Sequence, residues 1–526
     1  MRLNNIFILP VILVFEFALA NAEASPQYVG RTVCADSHAE QAVQWAGSHH
    51  DLAMQPANKE TVLADFDNAG LTHFGVTSSF FRKDGAFMVR TEGADGTLHD
   101  YPIKYTFGVE PLQQYLVEFP GGRLQALSLA WDTRSKVQGG QRWFHLYPDQ
   151  KIAHDDELHW TKPSQNWNSM CAECHSTYLQ KNYDPATQTF STTWSEIDVS
   201  CEACHGSGAE HVAWAERKPG WEKYASGKGL AITLDERRNV VWSMDAETGN
   251  AIRSQARTGD KEIGMCARCH ARRSPISRNY VHGEPFMDHY LPRLLDDGMY
   301  FADGQIDDEV YVYGSFLQSR MYHAGVTCSD CHEPYSLALR APGNGVCLQC
   351  HQAEKYNSEK HHFHEADSPG ASCAECHMPP RTYMVVDPRH DHSMRIPRPD
   401  ISVKLETPNA CTNCHASQSG EWAAEQVRKW YGREPGAISA MQKRWQRLAR
   451  AILPLEKHWR TWSVILRHPT SPGPRRSPSS RLTLAQVPSM LSRRVCPRMT
   501  RACVRPPYGH WSPRRWRFVY DSRFRH

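Results

Sequence analysis

The sequence predicts a chain of short helices and loops wrapped around prosthetic groups, interrupted by a β-rich segment around residues 70–160. Two observations carry this expectation: the grouping of the cysteines, and a two-residue alternation of apolar and polar side chains ahead of the first complete cysteine motif.

Of 17 cysteines in 526 residues, 14 fall into seven C-x-x-C-H motifs. They are Cys171, Cys174 and His175; Cys201, Cys204 and His205; Cys266, Cys269 and His270; Cys328, Cys331 and His332; Cys347, Cys350 and His351; Cys373, Cys376 and His377; and Cys411, Cys414 and His415. A histidine directly after every pair is the signature of haem c attachment. The two thiols form thioethers with the haem vinyls, and the histidine becomes the proximal iron ligand. Zinc ribbons also pair cysteines two apart, but they have no need of histidine in that place. A zinc-stabilised scaffold is therefore the remote alternative.

The seven motifs occupy 245 residues, with starts 30, 65, 62, 19, 26 and 38 residues apart, so no repeat period exists. About 35 residues per motif cannot build an independent hydrophobic core. Porphyrin is expected to supply much of the apolar interior, and this region is not expected to fold without it.

The β-rich segment is read from FFRKDGAFMVRTEGADG, with hairpin signals at Asp84-Gly85 and Asp95-Gly96, and from QYLVEFPGGRLQALSLAWD around Gly121-Gly122. Ser419 to Gly432 reads as an amphipathic helix.

The sixth iron position separates a closed electron carrier from an open, reactive centre. With 28 histidines the supply is ample, and the distal candidates are His50, His159, His211, His282, His323, His362 and His392. Sequence alone does not pair them with particular motifs. A further stretch, C-A-D-S-H, keeps Cys34 and His38 but has Ser37 where the second thiol belongs. Seven haems c are expected, with an eighth in question there.

Residues 1–24 read as a secretory signal, with an apolar run from Ile6 to Phe15 too short to span a bilayer. Export suits haem c ligation, so the expected location is the periplasm, with no transmembrane span beyond the signal and no nucleic-acid partner. The remaining organisation is read as a degenerate first haem segment over 25–69, the β-rich module over 70–160 and the multihaem domain over 161–418. A helical region starts over 419–450, and a basic Arg/Pro/Ser-rich tail covers 451–526. Residues 441–526 carry a net charge of +18 against −15 for the first 440. Residues 441–526, with 18 arginines and ten prolines, read as disordered or as a frameshifted product.

QNWNSMCAECHST, VSCEACHGSGAEHV, GVTCSDCHEPYS, CAECHMPPRTYMVVDPRHDHSMRIPRPD and TPNACTNCH together resemble a family of exported bacterial multihaem c-type cytochromes. Its members often carry C-terminal tetratricopeptide repeats. The resemblance runs over about residues 28–440. It implies a mainly α, multihaem cytochrome c fold with extensive loops and the β-rich insertion. It also implies electron transfer as the family's role, and the leading expectation is a periplasmic carrier with a chain of mostly bis-His haems and redox protein partners such as a membrane quinol oxidoreductase. The alternative is a reductase or oxidase of a small nitrogen or sulfur compound at one open haem. The chain departs from the family at Ser37, at Tyr335, where relatives usually have histidine, and near residues 440–455, where the helical repeats stop.

Overall fold

Nine antiparallel strands lie ahead of the first complete motif: β1 (Met54–Pro56), β2 (Ala69–His73), β3 (Val76–Lys83), β4 (Ala86–Glu92), β5 (Leu98–Phe107), β6 (Leu112–Phe119), β7 (Arg123–Ala126), β8 (Leu129–Asp132) and β9 (Arg142–His145). A computed structural model of the chain describes residues 27–432 except 278, 279 and 294. The signal segment, the tail over 451–526 and the helical region beyond residue 432 lie outside the described residues. The described residues belong to one compact unit.

The strands run in the order β2-β3-β4-β5-β6-β8-β9, with β1 added to β5 and β7 to β6. The sheet curls almost into a barrel, so that His73 of β2 stacks on His145 of β9 with ring centroids 3.8 Å apart. The two-residue period places Phe80, Phe87 and Val89 inside with Ile103, Tyr115, Leu127, Trp131, Trp143 and Trp160. Phe80 and Trp143 stack at 3.5 Å, and Phe66 meets both edge-on. Asp84 and Gly85 form the two-residue turn between β3 and β4, both at positive φ (50° and 83°), as a type I′ hairpin requires.

Beyond the sheet the chain is mostly loop punctuated by single helical turns. The motif helices are brief, as at Ala172–His175, Cys201–His205, Cys328–Cys331 and Cys373–His377. The longest described helix is Gly420–Tyr431, whose Ser419 hydroxyl accepts from the Trp422 N–H at its start and whose end is closed by Gly432 at φ 62°.

The mainly α expectation is wrong. Among the described residues 29% are helical and 22% lie in strands, and the near-barrel sheet is the largest regular element. A C-x-x-C-H motif needs only one helical turn to gather its three side chains, and nothing in its spacing extends that turn. Short helices are marginal in isolation. Meanwhile the sheet has an aromatic core of its own. Among the described residues no helix is long and apolar enough to cross a membrane.

The sheet also anchors the first complete motif. Asn168 accepts from the Leu124 N–H (2.8 Å) and donates to the Gly122 carbonyl (3.1 Å) and Thr192 hydroxyl (2.9 Å). Gly122 must be glycine: its φ is 70°, and a Cβ there would lie 2.1 Å from the Phe190 carbonyl oxygen. Fully buried Trp167, four residues ahead of Cys171, packs with Met54, Phe107 and Leu116.

Candidate metal centres

Within the motifs, one helical turn brings i, i+3 and i+4 to the same face. The closing bond from the histidine N–H to the first cysteine carbonyl measures 3.0 Å at Cys328, 3.0 Å at Cys347 and 2.9 Å at Cys411. It measures 2.9 Å at Cys34 as well, where His38 closes the turn despite Ser37.

Five pairs of imidazoles then face one another across gaps of nearly equal width. Ring centroids are separated by 6.1 Å for His38–His211, 6.4 Å for His50–His270 and 6.4 Å for His332–His392. The separations are 6.0 Å for His361–His377 and 6.2 Å for His364–His415. Two metal–nitrogen bonds of about 2 Å plus about 1.1 Å from each nitrogen to its ring centre give roughly 6.2 Å. Each gap therefore fits one metal ion held between two imidazoles.

Backbone carbonyls fix which nitrogen is available. Nδ1 of His377 donates to Arg395 O (2.8 Å), His392 to His390 O (2.9 Å), His211 to Lys228 O (2.8 Å), and His364 to His362 O. With the proton on Nδ1, the Nε2 lone pair is left for the metal. Burial also favours the neutral, ligating form. It pushes His270 down to about 4, aided by His50, His392 and His332, and it lowers His50, His332, His361 and His392.

Among the described residues no group of three or more His, Cys, Asp or Glu is arranged to hold a metal ion. A tetrahedral zinc site needs four protein ligands. Haem iron takes four nitrogens from the porphyrin and asks the protein for two. The donor set present, isolated imidazole pairs flanked by thiols, fits haem.

The thiols show which motifs are neighbours. Cys34 and Cys201 lie within hydrogen-bonding reach, as do Cys174 and Cys269, Cys266 and Cys328, and Cys347 and Cys373. Cys331 is close to Cys350, Cys204 to Cys269, and Cys376 to Cys411 and Cys414. Hydrogen bonding holds the thiols of Cys201, Cys269 and Cys373 down while their partners Cys34, Cys174 and Cys347 are pushed up.

Of the distal candidates, His50, His211 and His392 are each brought opposite a motif histidine. His159 is buried inside the sheet module, bonded to Thr161 (2.8 Å) and 3.7 Å from Glu92, and desolvation pushes it down to about 4. The His282 Nε2 lies 3.1 Å from both the Arg268 guanidinium and the Ala203 carbonyl, and the ring packs on Gly206. His323 meets Tyr322 edge-on, and His362 accepts from the His364 N–H. His361 and His364, beside the predicted His362, occupy the facing positions instead.

His175, His205 and His351 have no histidine face to face among the described residues. His175 donates from Nδ1 to the Ala53 carbonyl (3.1 Å) and meets Phe107 edge-on at 5.7 Å. The His351 Nδ1 bonds to the Asn250 amide oxygen (2.8 Å). His205 is close to both His38 and His211, and burial lowers its pKa. Tyr335 lies near Cys201 and Cys204, in the neighbourhood of that same motif.

Residues 131–206, which contain the motifs at Cys171 and Cys201, match the family model described as cytochrome c554 and c-prime. The match and the site geometry support a multihaem c-type cytochrome. No curated protein matches the chain. Among solved structures, the chain is similar to the outer cell wall cytochrome OcwA at 18% identity, over 77% of this chain and 86% of that one, with a TM-score of 0.49. It is also similar to the Wolinella succinogenes octaheme sulfite reductase MccA at 15% identity, over 70% of this chain and 58% of that one, with a TM-score of 0.30.

Proposed function

We propose that the protein is an exported, periplasmic c-type cytochrome that carries electrons along a row of covalently held haems. The carrying observation is the set of imidazole pairs at 6.0–6.4 Å, a spacing that suits bis-His ligation. Bound haem iron supplies one-electron redox chemistry, and its potential is set by axial ligands and burial.

The protein's own part is positional. The motif cysteines would tether each haem and the facing histidines would supply its two protein ligands, while carbonyl acceptors on Nδ1 hold the imidazoles in orientation. Read through the thiol contacts, the motifs follow one another in the spatial order Cys34, Cys201, Cys266, Cys328, Cys347, Cys373, Cys411. The motif at Cys171 joins as a side branch, through Cys174 and Cys269. Partners are redox proteins that meet the ends of this row. The experiment is optical: reduced protein should show sharp low-spin c-type α bands, and a colourless preparation would remove the proposal.

A second reading, reduction of a small nitrogen or sulfur oxyanion, is favoured by one region. His175 lacks a facing imidazole. Near Cys174 stands Tyr311, held at φ 60° with the Arg389 guanidinium 5.6 Å from its ring. A high-spin signal that shifts with nitrite or sulfite, and is altered by Tyr311→Phe, would favour this reading over pure electron transfer.

A further inference from the structure

The Cys34 site has one thiol where the complete motifs have two, yet it shares their closing bond and has the facing imidazole found at four of them. The helical turn Arg31–Ser37 closes onto His38 with the same 2.9–3.0 Å bond found at Cys328, Cys347 and Cys411. The His38 ring faces His211 at 6.1 Å with 19° between planes, inside the range of the four other pairs. Nδ1 of His211 is committed to the Lys228 carbonyl at 2.8 Å, leaving Nε2 toward His38. The thiol of Cys34 meets that of Cys201, first cysteine to first cysteine, as Cys266 meets Cys328 and Cys347 meets Cys373.

A site that had merely decayed would have no reason to keep a distal histidine at metal-bridging distance or its second nitrogen bonded. From these juxtapositions we propose that residues 34–38 hold an eighth haem through a single thioether from Cys34, with His38 and His211 as its two axial ligands. The proposal rests on the multihaem reading above.

The covalent step balances without an external oxidant or reductant. The Cys34 sulfur adds to the ring-side carbon of one haem vinyl, forming the S–C bond, and the thiol proton ends on the terminal vinyl carbon. Thiolate is the competent nucleophile in such chemistry. The Ser37 hydroxyl does not ionise near neutral pH, so the second vinyl stays a vinyl. That unreacted double bond remains conjugated with the ring and leaves a distinct spectroscopic mark: a haemochrome α band at longer wavelength than that of a doubly tethered haem.

The test is the denatured intact mass of the full exported protein, with a pyridine haemochrome spectrum of the same preparation. Eight covalent haem masses are expected, with an α band broadened to the long-wavelength side. Cys34→Ser should lower the count by one and remove the long-wavelength component. Ser37→Cys should leave the count at eight and sharpen the band. A count of seven in the wild type that rises to eight in Ser37→Cys would overturn the proposal while leaving the multihaem reading intact. So would an eighth haem that acid-acetone extracts from the wild type. A count of zero would overturn the multihaem reading itself.

Discussion

The imidazoles of His361 and His377 lie nearly parallel, 12° apart, with ring centroids separated by 6.0 Å. His361 stands on the short helix Glu359–His362, and the helix ends at Phe363 with φ 57°. That left-handed residue reverses the chain, so His364 points to a different motif and faces His415 at 6.2 Å. Of three histidines in four residues, His361 and His364 each face a different motif histidine and His362 faces neither.

Removal of His361 or His364 should therefore each convert one low-spin centre to high spin, whereas His362→Ala should leave all low-spin signals in place. Low-temperature electron paramagnetic resonance on the oxidised protein checks this. Equal effects of His361→Ala and His362→Ala would refute the assignment.

Carbon monoxide added to the reduced protein should bind at centres without a facing imidazole, of which the Cys171 motif is one. His50→Ala should add one CO-binding equivalent, because His50 faces His270 at 6.4 Å. Titration of the Soret change gives the stoichiometry.

The sheet should lose stability through its aromatic centre. Phe80 is fully buried and stacks on Trp143 at 3.5 Å, so Phe80→Ala should cost about 3–5 kcal/mol. Asn168→Ala leaves the buried Leu124 N–H without its partner, at about 1–3 kcal/mol. Chemical denaturation followed by tryptophan fluorescence reads both.

A pH effect is expected at Asp198. Burial raises its pKa to about 6 against the attraction of Arg31, whose guanidinium lies 2.5 Å away. The folded state binds this proton more tightly than the unfolded chain, whose carboxyl titrates near its usual 3.8. The contribution is therefore favourable at low pH and is lost as pH rises from about 4 to about 6. Melting temperature measured across that window should show a downward component in the wild type that Asp198→Asn lacks.

The chemistry of the sites was legible in the sequence because C-x-x-C-H is local: one helical turn gathers all three side chains whatever the surroundings. Distal ligation is not local. His392 reaches His332 from 60 residues away, and His211 reaches His38 from 173 away, so spacing alone does not pair them. Within the run at 361–364, a single left-handed Phe363 decides which histidines face a motif, and no sequence pattern marks a phenylalanine for that conformation. The fold class failed for a related reason. The mainly α expectation came with the family resemblance, but most motifs sit on a single helical turn, while the alternating strands assemble the largest regular element. His159 shows the limit from the other side: its burial belongs to the sheet core, where Thr161 satisfies it.

The most direct test of the central claim is the number of covalently bound haems per polypeptide in the purified exported protein, by haemochrome absorbance against protein concentration. At least seven per chain are predicted. A protein that carries none, or that instead holds stoichiometric zinc, would contradict the account.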